Sequence, residues 1–358
     1  MKLVECRSSQ VKDYIRFVGS VYKDIPNYKN NTDWTTKLIL SGRSEFGRSA
    51  FILPVLVCDA ERVVAACTFI HHANLPDYLQ IAFFEAIPDS QSAVGLLIGK
   101  ARDICQERNI AKICIGLNGH VNYGFGMLDD HFDSPVSFGD WYNPEYYSGY
   151  FAGHATKTYS LSSFRGETAH VDRAFLKKAT ERFCKEFSFR KADFRQFRRE
   201  MQIYTDLNNR CFGNHPFYYQ RSYAEDYELF SGLRLLIREE NLIFAEADGQ
   251  PAGFLLGYPD FNAFVPPGKT AGLGTVIKNR LFPGQIDKFK IVEMGVLPQY
   301  QQSAMILGLF DLCYRFAGDK YVYFESSWIW DENHESRACA KRLMDAEYKH
   351  FKVFVIEA

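Results

Sequence analysis

Two halves of the sequence repeat one order of strand and helix patterns, and this repeat constrains the fold more than any single motif. In the first half, β-rich runs at 51–58 and 62–70 flank a short turn, and a third run follows at 79–87. A helix with one apolar face over 91–107 and a strand over 112–117 complete this half.

The second half repeats the same order. Strand patterns at 242–247 and 252–258 again flank a short turn, and a third strand is predicted over 291–297. A helix over 303–317 and a strand over 321–326 follow. The sequence therefore predicts two copies of one α/β (α+β) fold.

The domain boundaries follow from this repeat. We predict an N-terminal domain over 1–165, a helical linker over 166–190 and a C-terminal domain over 191–358. The copies differ by inserts, at 118–143 in the first half and at 259–289 in the second. Inserts of this length usually shape a site or cover a sheet edge.

Composition excludes several classes of protein. The 358 residues are 47% hydrophobic, which is enough to build large cores. Lysine and arginine number 42 against 43 acidic residues, so no global field favours nucleic acid or an anionic membrane surface, although a local patch remains compatible. The start lacks an apolar signal core, and no apolar run approaches the ~20 residues that span a bilayer. These features predict a cytoplasmic protein without a membrane span.

Cysteines and histidines give no metal pattern. The nine cysteines form no Cys-x-x-Cys pair, and several fall within apolar patterns, as small core residues do. The histidines are not at metal-ligand spacing, so we predict no metal site.

The region 172–200 is rich in charge and aromatic rings. Arginines alternate there with phenylalanines, a pattern that could suit RNA. Amphipathic helices with solvated basic faces are far commoner, and the overall charge is not basic. We therefore predict a helical connection and no nucleic-acid partner.

The junction after the strand at 291–297 carries most of the functional signal. Pro298-Gln299-Tyr300 is followed by the small-residue turn Gln302-Ser303-Ala304 and by an amphipathic helix. The first N–H groups of a helix lack partners inside it and carry partial positive charge, so they could hold a pyrophosphate. An ordinary strand-to-helix turn would give the same spacing.

With residues 296–304 reading Val-Leu-Pro-Gln-Tyr-Gln-Gln-Ser-Ala at this turn, the element order resembles the Gcn5-related N-acetyltransferase (GNAT) superfamily. Over nearly the whole chain, the sequence looks like the tandem members of that superfamily. The resemblance implies two tandem acyl-CoA N-acyltransferase-like domains, each with a mixed, mostly antiparallel sheet flanked by helices.

The resemblance also implies where acetyl-CoA or another acyl-CoA would bind as co-substrate. The strand ending at Leu297 should splay from its neighbour at a bulge that Gly295 fits, and its backbone should bond the pantetheine amides. The implied cofactor-binding residues are Met294, Gly295, Val296, Leu297, Gln302, Ser303, Ala304, Met305 and Asn333.

The family turn usually has glycine where this chain has Ala304, and glycine or alanine where it has Ile306. The first half keeps even less of the pattern. We therefore expect coenzyme A only in the second copy, and a structural or acceptor-shaping role for the first.

Acyl transfer from a thioester to an amine needs a base for the ammonium. Glu293 is the candidate, because a carboxylate beside a bulge could be desolvated, although a salt-bridged strand residue is the alternative. Glu325 on the next strand is a second candidate, and Ser327 ends that strand where an acceptor would enter. Many relatives protonate the leaving thiolate with a tyrosine on the final helix, but 338–344 contains none.

The insert after residue 118 is crowded with tyrosine and phenylalanine up to 151. These rings could wall an acceptor site or cap the open end of a sheet, and capping is the preferred interpretation.

Three functions remain open from the sequence. The first is an acyl-CoA-dependent N-acyltransferase acting on a small amine or amino-acid-like acceptor by direct transfer. The sequence is also compatible with a homo-oligomer. The second is a non-catalytic ligand-binding or scaffold protein that retains the fold. Peptidyl transfer is a third, suggested only by the doubled fold.

Overall fold

The structure is a computed structural model that describes residues 1–6, 10–31 and 33–358. The chain divides into two compact units. The first unit contains residues 1–162, 265–270 and 349–358, and the second contains 163–264 and 271–348. None of the helices within the described residues is long and apolar enough to cross a membrane.

The first unit is built mainly from the N-terminal half of the chain. Its strands are β1 (Lys2–Glu5), β2 (Ala50–Asp59), β3 (Arg62–His72), β4 (Tyr78–Ala86), β5 (Lys112–Ile115) and β6 (Met127–Leu128). Its helices are α1 (Val11–Val21), α2 (Asp33–Leu40), α3 (Gln91–Arg108) and α4 (Tyr147–Ala152).

The rest of the chain adds further strands and helices. The strands are β7 (Lys157–Glu167), β8 (Phe187–Lys191), β9 (Leu242–Ala247), β10 (Gln250–Pro259), β11 (Lys288–Val296), β12 (Tyr323–Ser326), β13 (Ile329–Trp330) and β14 (Ala346–Glu357). The helices are α5 (Arg173–Phe183), α6 (Phe197–Cys211), α7 (Tyr223–Leu233), α8 (Leu273–Leu281), α9 (Met305–Ala317) and α10 (His334–Leu343).

In the first unit, the strand order is β1-β2-β3-β4-β5-β14. The β4–β5 pair is parallel because α3 carries the chain from the end of one strand to the start of the next. The other pairs along this order for which the register is resolved are antiparallel. The apolar face of α3 packs on the sheet through Val94, Leu97 and Ile98, which are buried.

The second unit has the strand order β7-β12-β11-β10-β9-β8. Its parallel pair is β11–β12, joined by α9, and the remaining pairs are antiparallel. Met305, Leu309 and Cys313 of α9 are buried, as the helical spacing predicted. A Cβ at Gly308 would lie 2.1 Å from the Phe189 ring, so only glycine lets α9 approach β8.

The predicted order of elements is confirmed in both units, with a mixed, mostly antiparallel sheet flanked by helices in each. Two parts of the predicted division differ from the structure. The predicted linker at 166–190 is folded into the second unit, where it holds the end of β7, helix α5 and most of β8. The predicted helical connection at 172–200 is confirmed for α5 and for the start of α6, but it was wrong between them, where β8 pairs with β9.

The C-terminal strand is the second difference. Residues 349–358 were assigned to the C-terminal domain, but they belong to the first unit, where Phe354 lies opposite Ile115 of β5. The local pattern of a strand specifies its two faces and not its neighbour, so the sequence could not assign this strand to a copy.

Candidate active site in the second unit

The strands β11 and β12 separate partway along their length. Their parallel register runs from Lys288 opposite Tyr323 to Ile291 opposite Ser326, and the amide of Ser327 donates to the Ile291 carbonyl at 2.8 Å. Beyond this point β11 continues to Val296, paired with β10. The backbone edge of 292–296 that faces away from β10 is therefore no longer covered by β12.

A β-bulge accompanies this separation. Glu293 lies opposite Leu256 and Ile291 opposite Gly257, so one extra residue, Val292, is inserted in β11. The predicted position of the bulge, at Gly295, was wrong. Glycine is needed at 295 for another reason, because a Cβ there would lie 2.9 Å from the Cβ of Cys211 on α6.

Glu293 lies at the bulge and is held by two side chains of α6. Its Oε2 accepts hydrogen bonds from the Tyr204 hydroxyl at 2.6 Å and from the Asn208 amide at 2.5 Å. Tyr204 and Asn208 are four residues apart, so both project from the same face of the helix. Neither residue was predicted to have a role, although a tyrosine and an asparagine at helical spacing were a signal that the sequence contained.

The electrostatic surroundings of Glu293 favour a proton acceptor. Burial raises the pKa of its carboxyl above the ordinary value, while the hydrogen bonds from Tyr204 and Asn208 and the charge of Arg221 oppose that rise. Arg221 is itself buried and forms an ion pair with Asp226 in the first turn of α7. A carboxylate with a raised pKa binds a proton more readily near neutral pH.

The loop 212–222 is fixed to α6 by the same group of residues. The Tyr218 hydroxyl lies 2.7 Å from Oδ1 of both Asn208 and Asn209. Asn209 accepts from the Arg221 amide and donates to its carbonyl, each at 2.9 Å. The side chain of Asn208 is therefore oriented by a second layer of contacts.

The other two predicted catalytic residues have different surroundings. Glu325 is buried, and its Oε2 lies 3.1 Å from Nζ of Lys288, which is also 3.1 Å from Asp260. Burial would lower the pKa of Lys288, but Asp260 and Glu325 together raise it above its usual value. Ser327 is half-buried and supplies the last backbone bond before the strands separate.

The turn between β11 and α9 presents several helix-start amides. The Ser303 hydroxyl donates to the Tyr300 carbonyl at 2.7 Å, and its oxygen accepts from the Met305 amide at 3.2 Å. Among the described residues, no acceptor within hydrogen-bonding distance is found for the amides of Gln302, Ala304, Ile306 and Leu307. The turn thus combines small side chains with amides that a bound anion could use.

The remaining predicted cofactor-binding residues divide into two groups. Met294, Gly295 and Val296 lie on the uncovered part of β11, whereas the Leu297 amide already donates to the Ala252 carbonyl at 2.9 Å. Asn333 is exposed and caps α10 by accepting from the Ser336 amide at 3.0 Å.

A cavity of about 510 Å³ lies beside the turn between β11 and α9. It is bounded by α6, by the β9–β10 hairpin and by the segment that follows β11. The lining includes Asp206, Arg210, Pro251, Gln299 and Tyr300.

Comparisons with known proteins agree with this architecture. No protein-family model matches the chain. Protein YghO of Escherichia coli is 22% identical over 363 residues, covering 97% of this chain and 92% of the relative. A bacterial ceramide synthase of Caulobacter vibrioides is 22% identical over 283 residues, covering 75% and 73%.

Among solved structures, a tandem GNAT protein from the clavulanic acid biosynthesis pathway superposes with a TM-score of 0.58 at 13% identity. The match covers 99% of this chain and 98% of that protein. The chain has the tandem GNAT fold. The fold predicted from the sequence is confirmed over both halves.

The first GNAT unit also separates its parallel strands, but other side chains fill the opening. The β4–β5 register ends at Ile81 opposite Ile115, and β4 bulges at Phe83, whose φ is +48°. The Phe83 amide donates to Oδ1 of Asn118 at 2.7 Å, and its carbonyl accepts from the Tyr14 hydroxyl at 2.5 Å.

Tyrosines of the long insert bond the rest of this strand. Tyr147 accepts from the Ala86 amide at 2.7 Å, and Tyr146 donates to the Ala86 carbonyl at 2.8 Å. Tyr150 donates to the Ile87 carbonyl at 2.7 Å. The capping interpretation of the insert is confirmed for these residues, which occupy the backbone groups that the second GNAT unit leaves uncovered.

Glu85 is the acidic residue of this filled opening. It is buried, and the Tyr147 hydroxyl donates to its Oε2 at 2.7 Å. Burial raises the pKa of Glu85 to about 8, against a smaller opposing effect of the hydrogen bonds from Tyr147 and Tyr22. The two GNAT units thus share a bulged strand but differ in whether that strand is accessible.

Proposed function

We propose that the chain is an acyl-CoA-dependent N-acyltransferase whose second unit binds the donor and whose Glu293 accepts the proton of the acceptor amine. The observation that carries this proposal is the separation of β11 from β12, with a partly buried Glu293 held there by Tyr204 and Asn208. It supports the predicted role of Glu293 better than that of Glu325, which is engaged in a buried ion pair.

The residues of the second unit fit an acyl-CoA donor. The uncovered edge of 292–296 offers backbone groups to the pantetheine amides, as an added strand would. The amides of Gln302, Ala304 and Ile306 suit the pyrophosphate, because a helix start favours negative charge. Ala304 leaves room for that approach, although less freely than glycine.

The reaction removes two protons from the acceptor nitrogen and adds one to the leaving group. The acceptor ammonium must lose its first proton before its nitrogen attacks the thioester carbonyl, and Glu293 accepts that proton and passes it to solvent. The C–N bond then forms and the C–S bond breaks. The nitrogen loses its second proton as the amide forms, and the departing thiolate takes up one proton, so that one proton is released overall. Tyr204 and Asn208 hold the carboxylate at the separation of the strands, and their hydrogen bonds favour its ionised form against the effect of burial.

A ring cluster formed by the loop after α6 and the segment after β12 favours an acceptor with apolar parts. The ring of His215 lies 5.0 Å from that of Trp330 and 5.9 Å from that of Trp328, and Phe217 lies 5.9 Å from Trp330. Burial lowers the pKa of His215 to about 4, so this cluster is uncharged at neutral pH. Small amines and amino-acid-like acceptors fit it, and so does a longer amine.

The second relative supports the longer acceptor. It is named a ceramide synthase, and a ceramide is an amide of a long-chain amino alcohol. We therefore include long-chain amino alcohols and long-chain acyl-CoA donors in the proposed substrate class.

Calorimetry with acetyl-CoA and with longer acyl-CoA tests the donor site. Ala304→Glu places bulk and negative charge in the proposed pyrophosphate cradle and should abolish binding. Ser92→Glu adds the same charge at an exposed position in the first turn of α3 and should leave binding unchanged. No binding by the unaltered protein would refute the donor assignment.

Release of free thiol with a panel of amines then tests turnover. The protein's own nine cysteines require a blank without acyl-CoA. Glu293→Gln should bind the donor normally and release thiol at least about a hundredfold more slowly. Binding without turnover on any amine would instead favour a non-catalytic ligand-binding protein, a role consistent with the absence of tyrosine from α10.

A further inference from the structure

Helix α8 presents an exposed apolar face, which we call the α8 stripe. Its members are Leu273, Ile277 and Leu281 of α8 and Phe282 directly after the helix, with exposed fractions of 72%, 49%, 65% and 50%. The first three are spaced by four residues and so lie along one side of the helix. Isolated exposed apolar residues are ordinary, but three large ones along one side of a short helix, with a fourth at its end, form an exposed apolar patch.

The opposite face of α8 attaches the helix to the second unit. Thr275, Val276 and Asn279 are buried, and the Asn279 side chain donates to the Leu236 carbonyl at 3.1 Å. The Gly272 amide also bonds the Thr275 hydroxyl at 3.3 Å. The α8 stripe is therefore not needed to hold the helix in place, and its orientation toward solvent is fixed by these contacts.

Basic residues flank the α8 stripe on both sides. At about 100° per residue, the three apolar residues of α8 span one arc of the helix. Arg280 lies to one side of that arc and Lys278 to the other. Both are exposed. The sequence from 261 to 286 contains three basic residues and no aspartate or glutamate, in a chain whose charges otherwise nearly cancel.

We propose that α8 docks the chain on the surface of an anionic lipid bilayer. The α8 stripe enters the boundary between headgroups and acyl chains, while Lys278 and Arg280 reach the lipid phosphates. An apolar face alone would suit a protein partner equally well. The flanking cations and the absence of acidic residues favour the anionic interface, because a carboxylate at this position would be repelled from it.

This docking is independent of the acyl-transfer proposal, since it uses neither Glu293 nor the turn before α9. Its consequence for a lipid-like substrate would be access from the bilayer. Failure of either proposal leaves the other intact, because one is measured by vesicle binding and the other by donor binding and thiol release.

Vesicle flotation with the full chain tests the proposal. The unaltered protein should bind vesicles of phosphatidylcholine mixed with phosphatidylglycerol, bind pure phosphatidylcholine much less, and be released by added salt. Leu273→Gln combined with Leu281→Gln should weaken binding at least about tenfold, because two apolar anchors are lost. Lys278→Glu combined with Arg280→Glu should abolish the preference for the anionic lipid.

The matched control is Leu96→Gln combined with Leu235→Gln, two leucines that are also exposed but lie outside α8. This control should bind vesicles as the unaltered protein does, and thermal melts should show that all variants are folded. Absence of vesicle binding, or binding that both leucine pairs affect equally, would overturn the proposal. Self-association without lipid that Leu281→Gln removes would instead identify the α8 stripe as an interface between copies, and would also overturn it.

Discussion

Replacing Tyr204 by Phe removes the hydroxyl that donates to Glu293 and that accepts a hydrogen bond from the Asn208 amide at 3.2 Å. The ring is fully buried among aromatic neighbours, including Phe230 and Phe254, and phenylalanine fills the same volume. The lost contact is short, at 2.6 Å, and its acceptor is a partly buried carboxylate. The substitution therefore isolates the effect of one hydroxyl on the proposed base.

The size of the effect follows from the energy of a charged hydrogen bond. Such bonds contribute about 1.5–3 kcal/mol, and one pKa unit corresponds to about 1.4 kcal/mol. Because the Tyr204 hydroxyl stabilises the ionised form of Glu293, its loss should raise the pKa of Glu293 further, by roughly one to two units. A base must be ionised to act, so the rate below that pKa should fall by about tenfold to a hundredfold.

The assay is the pH dependence of kcat/KM for thiol release. The rising limb that reports the base should move to higher pH by about one to two units in Tyr204→Phe, and the rate should recover at high pH. Tyr14→Phe is the matched control, because it removes a buried hydroxyl that bonds a backbone carbonyl in the first unit. A rate that falls evenly at all pH values, or a limb that moves to lower pH, would refute the role assigned to Glu293 and Tyr204.

Three further predictions concern the two units. Burial raises the pKa of Glu85 to about 8. The stability that Glu85 contributes in its protonated form is therefore fully present below the ordinary pKa of a glutamate, and it is lost as the pH rises through 8. Across that pH interval, the free energy of unfolding of Glu85→Gln should rise by up to about 5 kcal/mol relative to that of the unaltered protein, as measured by urea unfolding. Parallel curves of unfolding free energy against pH for the two proteins would contradict this. Lys288→Met leaves Asp260 and Glu325 buried without their cation and should lower the free energy of unfolding by about 3–5 kcal/mol, whereas a change below 1 kcal/mol would show that the pair is not desolvated. Calorimetry should give one acyl-CoA per chain, since Tyr147 and its neighbours fill the first opening, and two sites per chain would contradict that assignment.

Much of the local structure could be predicted because it depends on neighbours in sequence. The strand and helix patterns around 62–70, 91–107 and 242–247 are confirmed within a few residues. The turn at Ser303 could be placed for the same reason. Strand β8 was missed because five residues give too short an alternation to separate from a helix with aromatic residues.

The candidate site was predictable only in part. Glu293 could be nominated because it lies on a strand that leads into a small-residue turn. Its partners Tyr204 and Asn208 are about 85 to 90 residues away along the chain, and nothing in the local pattern links them to that strand. Gly295 was read as a bulge residue, but its neighbour Cys211 on α6 explains why glycine is required.

The sequence by itself determined the order of elements, their doubling and the small-residue turn after β11, because periodicity and turn chemistry act over a few residues. The tertiary structure alone decided that residues 349–358 complete the first unit, and that Tyr146, Tyr147 and Tyr150 close its opening. Strand pairing and side-chain contacts join residues far apart in the chain, so the choice among alternative partners is made only when the whole core packs.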